Sequence, residues 1–209
     1  MPGRRGRPAA DRAKVRVELA QQVLTAAEDA ILSARFADLS IDQLTRLAGI
    51  SRSKFYVYFQ DKDDLVQAWF AHVWNDIHRA QADWWALDAH STRADLHSAL
   101  ASLVQAYRPH AILMAAVHDQ ALHNPTIRAE VDAVIQRNVT GLAAHIRAGQ
   151  DGGFIDPDIR PDETAAWLTW MAERTQHALR PDLDEPTLDR HTTTYTDIVW
   201  QTLYATTHP

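Results

Sequence analysis

Apolar residues recur at spacings of three and four along almost the whole chain, and no stretch alternates for the length of a useful strand. Val17, Ala20, Val23, Leu24, Ala27 and Ile31 place a first helix from about Arg12 to Ser33. Two short helices follow. The first opens after Ser40 and carries Ile41, Leu44, Leu47 and Ala48 on one face until Gly49 stops it. Ile50 fills the elbow, and Ser51 caps the second, whose inward positions are Phe55 and Phe59. A fourth helix starts near Asp61 to Asp64, acidic groups suited to a helix N-terminus, and runs through Trp69, Val73, Trp74 and Ile77 towards Trp85. Five more are expected near Arg93–Arg108, His110–Leu122, Thr126–Gln150, Asp162–Leu179 and Thr187–Thr206. Pro109, Asn124 with Pro125, Gly152 with Gly153, Pro181 and Pro186 mark the breaks. The pattern predicts an all-α protein of about nine helices. A disordered basic arm (1–11) precedes a three-helix head containing a helix-turn-helix (12–60), and a helical body (61–209) follows.

The second helix of the pair leaves Arg52, Ser53, Lys54, Tyr56 and Tyr58 off its inward face. Such groups suit a major groove: a helix N-terminus binds phosphate, arginine reaches guanine edges, and tyrosine meets sugar or phosphate. Lys62 follows where a DNA backbone would pass. By spacing alone, serine-capped helix pairs with a glycine elbow also fit many other all-α proteins.

Composition narrows the alternatives. The absence of cysteine excludes disulfides, thiolate zinc sites and cysteine nucleophiles. No apolar run approaches the roughly 18 residues of a membrane span, and the arginine-rich N-terminus lacks a following apolar segment, so no membrane role and a cytoplasmic location are expected. The net charge of −6 is unevenly spread. Residues 1–60 hold ten Lys/Arg against six Asp/Glu, whereas residues 61–209 hold eleven against twenty-one. A basic head on an acidic body fits local counterion release at contacted phosphates. The string Arg4-Arg5-Gly6-Arg7-Pro8 is similar to the core of an AT-hook, whose arginines lie in a narrow minor groove; the alternative is a solvated tail. Among the eleven histidines, His118 and His123 lie near Asp119, but there is no HExxH or paired ExxH pattern. Neither a serine nucleophile elbow nor a phosphate-binding glycine loop is present. No enzyme activity, metal or cofactor is expected.

From Phe36 onward the chain resembles the TetR family of one-component bacterial transcription regulators. The resemblance rests on Phe36, Ser40, Ile41, Leu44, Ala48, Gly49, Ile50, Ser51, Phe55, Tyr56, Tyr58, Phe59, Lys62 and Leu65. Thr45 departs from the family's usual alanine at the helix crossing, and Arg35 from a common glycine. The resemblance implies a repressor that binds a palindromic double-stranded operator as a homodimer and leaves it when a small-molecule effector occupies the body. It implies that Ser40, Ser53, Tyr56, Tyr58 and Lys62 hold phosphates while Arg52 and Lys54 sense base edges. An activator, or a binding protein that has lost specific reading, would share the fold.

Six of the seven tryptophans fall on two predicted helices, as Trp69, Trp74, Trp84, Trp85, Trp167 and Trp170. They point to an aromatic chamber for a small apolar ligand, with Trp74, Tyr107, Met114, Thr169 and Trp170 as candidate contacts. The segment Trp167 to Thr175, WLTWMAERT, is similar to a motif of the ethionamide-regulator-like branch. Where that branch has ligand-binding asparagines, Thr169 and Ala172 stand here, so its ligand preferences do not transfer. The family's dimer is built from its last two helices. Here those offer Ala165, Leu168 and Ala172 on one, and Tyr195, Ile198, Val199, Thr202 and Leu203 on the other. The alternative is that these side chains face their own core.

Overall fold

The computed structural model describes residues 9–178 and 183–205, and all regular structure among them is helical. The expected first helix is divided into α1 (Ala9–Thr25) and α2 (Glu28–Ser33) by a tightened turn in which the Ala27 amide donates to Leu24 O at 3.0 Å. A helix thus begins at Ala9, inside the expected arm, while Arg4, Arg5 and Arg7 lie outside the described residues. The remaining helices match the expected nine-helix plan. They are α3 (Ile41–Leu47), α4 (Arg52–Tyr58), α5 (Lys62–Trp85), α6 (Arg93–Tyr107), α7 (Ala111–His123), α8 (Pro125–Asp151), α9 (Pro161–Ala178) and α10 (Glu185–Leu203).

By packing, the chain divides into two units. A head unit gathers the described residues up to Val73 together with Ile112–Ile127, and a body unit gathers Trp74–Ala111 and the described residues from Arg128. α7 therefore packs with the head.

The head is held by α1, which supplies caps to two other helices. Gln22 Nε2 donates to Ala48 O at 3.0 Å at the end of α3, and Arg16 Nε donates to Tyr58 O at 3.1 Å at the end of α4. Each satisfies a carbonyl that has no partner within its own helix. Arg16 also pairs with Asp64 and lies 5.5 Å from the centre of the Phe59 ring. Trp69 Nε1 donates to Gln21 Oε1 at 2.8 Å, which joins α5 to α1. At the α7–α8 junction Asn124 Oδ1 accepts from the Thr126 and Ile127 amides, and its Nδ2 donates to Asp63 Oδ2 at 2.6 Å.

In the body, Leu96, Leu100, Ile146, Ile155, Val199 and Leu203 are at most 1% exposed and belong to one core. Arg93 Nε reaches Asp197 Oδ1 at 2.6 Å, tying α6 to α10. Gly141 on α8 allows close approach: a Cβ there would stand 2.7 Å from two ring carbons of Trp85. Within this core Trp84 Nε1 donates to the Tyr204 hydroxyl at 3.2 Å, and that hydroxyl lies 2.8 Å from His145 Nε2. The Tyr204 oxygen can accept from Trp84 and still either donate to His145 Nε2 or accept from it, so the direction of that bond follows the tautomer of the ring. Burial lowers the His145 pKa, partly opposed by a hydrogen bond with the Trp85 backbone, consistent with a neutral ring.

Candidate nucleic-acid interface and body cavity

The helix pair forms as its punctuation predicts. Ser40 Oγ accepts from the Gln43 amide at 3.2 Å while Gln43 Oε1 accepts from the Ser40 amide at 2.7 Å, a reciprocal cap on α3. Ser40 Oγ also donates to Gln43 Oε1 at 2.9 Å. α3 ends at Gly49 with φ of 65°, a conformation costly to any residue with a Cβ, and the Ile50 amide closes the turn on Thr45 O at 2.9 Å. Ser51 Oγ then accepts from the Lys54 amide at 3.1 Å and starts α4.

Both departures from the family pattern are accommodated locally. Thr45 is buried at the crossing, and its hydroxyl is satisfied by donating to Ile41 O at 2.9 Å. Arg35 has a φ of −67°, which needs no glycine, and its guanidinium takes both oxygens of Asp38 at 3.2 Å.

α4 presents one buried and one open face. Phe55 and Phe59 are almost fully buried, whereas Arg52, Ser53, Lys54 and Tyr56 are exposed and Tyr58 is half-buried. Arg52 is held over this surface from two sides. It pairs with Asp42 across the elbow at 2.9 Å and lies 5.8 Å from the centre of the Tyr56 ring. Asp42, Arg16 and Gln22 were not singled out by sequence pattern. Their partners lie 10, 42 and 26 residues away, and only the fold brings them together.

Two expected phosphate contacts are otherwise engaged. The Ser40 hydroxyl serves the α3 cap. Lys62 turns inward: its ammonium donates to Leu39 O at 2.6 Å and Ala37 O at 2.7 Å, with Phe36 O at 3.4 Å. The turn Phe36–Asp38 ends in carbonyls that no helix continues, and a cation at the start of α5 satisfies them better than it would by facing solvent.

In the body unit a cavity partly open to solvent is lined by residues of α5, α6, α8, α9 and α10. Trp74, Trp84, Trp85 and Tyr195 supply aromatic wall; Gln81, Asn138, Thr169 and Glu173 supply polar groups. A second partly open cavity shares Leu103, Ala172 and Tyr195 with it. Glu173 and Asn138 are buried, and burial together with the Glu173 charge raises the Tyr107 pKa. Of the five expected ligand contacts, Trp74 and Thr169 stand on the first wall. Met114 is fully buried in the head unit, Tyr107 is buried outside both linings, and Trp170 is half exposed on α9.

The expected dimer face also needs correction. Ala165, Leu168, Val199 and Leu203 lie in the core of their own chain, where no second subunit can touch them. Ala172 and Tyr195 line the cavities. Ile198 is exposed, Thr202 is half-buried, and the large apolar side chains open to solvent on α9 are Trp167, 77% exposed, and Trp170, 51% exposed. Among the described residues no group of three His, Asp or Glu could hold a metal ion, and no helix is long and apolar enough to cross a membrane.

Comparison with known proteins agrees with this arrangement. Residues 23–69 match the family model for bacterial regulatory proteins, tetR family. The HTH-type transcriptional regulator EthR of Mycolicibacterium smegmatis is 25% identical over 190 residues, covering 88% of this chain and 85% of that protein. Among solved structures, the TetR family regulator PfmR from Thermus thermophilus superposes with a TM-score of 0.71 at 14% identity, over 86% of this chain and 97% of that one. A TetR transcriptional regulator from Chloroflexus aurantiacus does so with a TM-score of 0.65 at 19% identity, over 91% of this chain and 98% of that one. The chain thus carries, at the matched residues, the DNA-binding domain of tetR-family bacterial regulatory proteins, and over the rest it has the fold of solved TetR-family regulators.

Proposed function

We propose that the protein is a cytoplasmic homodimeric repressor, released from a palindromic operator when a small apolar or aromatic ligand occupies the body cavity. In this reading residues 12–60 bind DNA and residues 61–209 bind the effector and the second subunit. The carrying observation is the aromatic cavity on α5, the same unbroken helix whose first turn the head holds through Arg16 and Lys62. Ligand sites are typically aromatic-walled spaces with a few polar groups, and release requires only that the ligand bind better to a conformation unable to dock.

On α4, Arg52 and Lys54 sense base edges while Ser53, Tyr56 and Tyr58 hold phosphates. Arg4, Arg5 and Arg7 reach the minor groove. The exposed Trp167, Trp170 and Ile198 support a dimer built from α9 and α10, matching two half-sites about one DNA turn apart.

The test is selection of bound sequences from a random duplex library with purified protein at two salt concentrations. A palindrome with half-sites about 10 base pairs apart is expected. Arg52→Ala should then cost about 1–3 kcal/mol on that site and little on random DNA. Recovery of only A·T-rich sequence, or of none, would refute specific reading by the helix pair.

A further inference from the structure

We infer that Val57 reads the C5-methyl group of a thymine in the major groove and so sets the operator sequence at one position of each half-site; this rests on reading α4 as the helix that enters that groove. At about 100° per residue, Val57 is the one position of α4 that stands about 160° around the axis from both Phe55 and Phe59, the two phenylalanines buried in the head. It therefore faces away from the core more directly than Arg52, Ser53, Lys54, Tyr56 or Tyr58, and it is 54% exposed. An apolar side chain thus occupies the centre of the outward face, with the exposed Ser53 and Lys54 nearest to it on either side.

Two arginines of α1 fix the turn that carries this side chain. Arg12 donates to Val57 O at 3.2 Å and Arg16 to Tyr58 O at 3.1 Å, so the last carbonyls of α4 are held in place. Valine branches at Cβ and keeps essentially one χ1 rotamer in a helix, so its methyl groups are presented at a fixed place. Base edges in the major groove offer hydrogen-bond donors and acceptors and one apolar group, the thymine methyl. A polar edge pressed against Val57 loses water and gains no partner, which costs free energy. A thymine methyl in the same place gains apolar contact instead, and phosphate contact is left to the polar side chains around it.

The experiment takes the operator recovered by selection with the full-length protein and replaces each thymine in turn by deoxyuridine, which removes the methyl and keeps every hydrogen-bonding group. Competition binding is then measured for the unaltered protein and for Val57→Ala, a change at an exposed position that leaves the packed face of α4 intact. At one thymine of each half-site the replacement should weaken binding of the unaltered protein about fourfold, the worth of one buried methyl, and leave binding of Val57→Ala unchanged. Every other thymine should cost both proteins alike, and Val57→Ala should bind random duplex as the unaltered protein does, with the same salt slope. Equal costs in the two proteins at every thymine, a recovered half-site without thymine, or equal losses for Val57→Ala on operator and random DNA overturns the inference and leaves α4 reading through its polar groups. Recovery of no preferred sequence overturns both.

Discussion

Replacing Lys62 by methionine separates a fold-holding cation from a DNA-holding one. The ammonium makes two short hydrogen bonds, to Ala37 O and Leu39 O, and lies 5.4 Å from the centre of the Phe36 ring. Burial lowers its pKa, opposed by the charges of Asp63 and Asp38. The side chain is only half-buried, so each bond is worth about 1 kcal/mol after exchange with water, and the ring contact adds about 0.5 kcal/mol. Methionine keeps an apolar stem and removes only the ammonium, for an expected loss of about 2–3 kcal/mol. For a chain of this length that corresponds to a fall in melting temperature of roughly 5–10 °C. Urea unfolding followed by far-ultraviolet circular dichroism measures the loss. The second assay is operator affinity against salt concentration. A lysine neutralising one phosphate contributes about 0.9 to the slope of log K against log salt, so the structure predicts a slope unchanged in Lys62→Met. An unaltered unfolding midpoint together with a slope reduced by about one unit would refute the reasoning and return Lys62 to the phosphate backbone.

Three further perturbations probe other joints. Asp42→Ala frees Arg52 from its partner across the elbow; competition binding should show the ratio of operator to random-DNA affinity falling several-fold, and an unchanged ratio would mean that Asp42 does not orient the arginine. His145 has a folded pKa below its ordinary value of about 6.5, so the unfolded chain takes up the proton first and stability falls as pH drops through about 6.5 towards the folded pKa. His145→Gln should flatten that part of the curve of urea midpoint against pH, and an undiminished slope would assign it to other groups. Gly141→Ala places a methyl 2.7 Å from the Trp85 ring and should lower stability by about 1–3 kcal/mol in a thermal melt, whereas an unchanged or raised melting temperature would show that the ring yields freely.

The fold was legible where local chemistry decides it. Ser40, Gly49 and Ser51 mark helix ends through their own side chains or backbone, and all three act in the structure at the marked place. Long-range partners carry no local signal. An arginine such as Arg16 on a predicted helix reads as solvated surface, and nothing in the neighbouring sequence says that a carbonyl 42 positions later lacks a donor. Lys62 shows the same ambiguity in reverse: a cation placed to suit phosphate is also placed to suit backbone carbonyls, and the carbonyls of its own chain are nearer. The cavity was legible in kind, because tryptophans concentrated on two helices, but Met114 illustrates the limit. An apolar residue on a helix has a core to face whichever unit that helix joins, and α7 joins the head.

The last two helices show how that limit can be overcome. On α9 the pair Ala165 and Leu168 and the pair Trp167 and Trp170 are each separated by three residues, so each forms a stripe; at about 100° per residue the two stripes lie on nearly opposite faces. A helix apolar on both sides is covered twice or exposes apolar surface to water. The chain's own core covers the first stripe, since Ala165 and Leu168 are at most 4% exposed, and leaves the tryptophans open. This separates two substitutions that the sequence alone would group together. Leu168→Ala removes buried volume and should cost about 2–5 kcal/mol of stability. Trp167→Glu should leave the unfolding midpoint of the monomer nearly unchanged while shifting sedimentation from dimer to monomer and weakening operator binding. A dimer that survives Trp167→Glu and a second charge at Trp170 would place the second subunit elsewhere and leave this stripe for another partner.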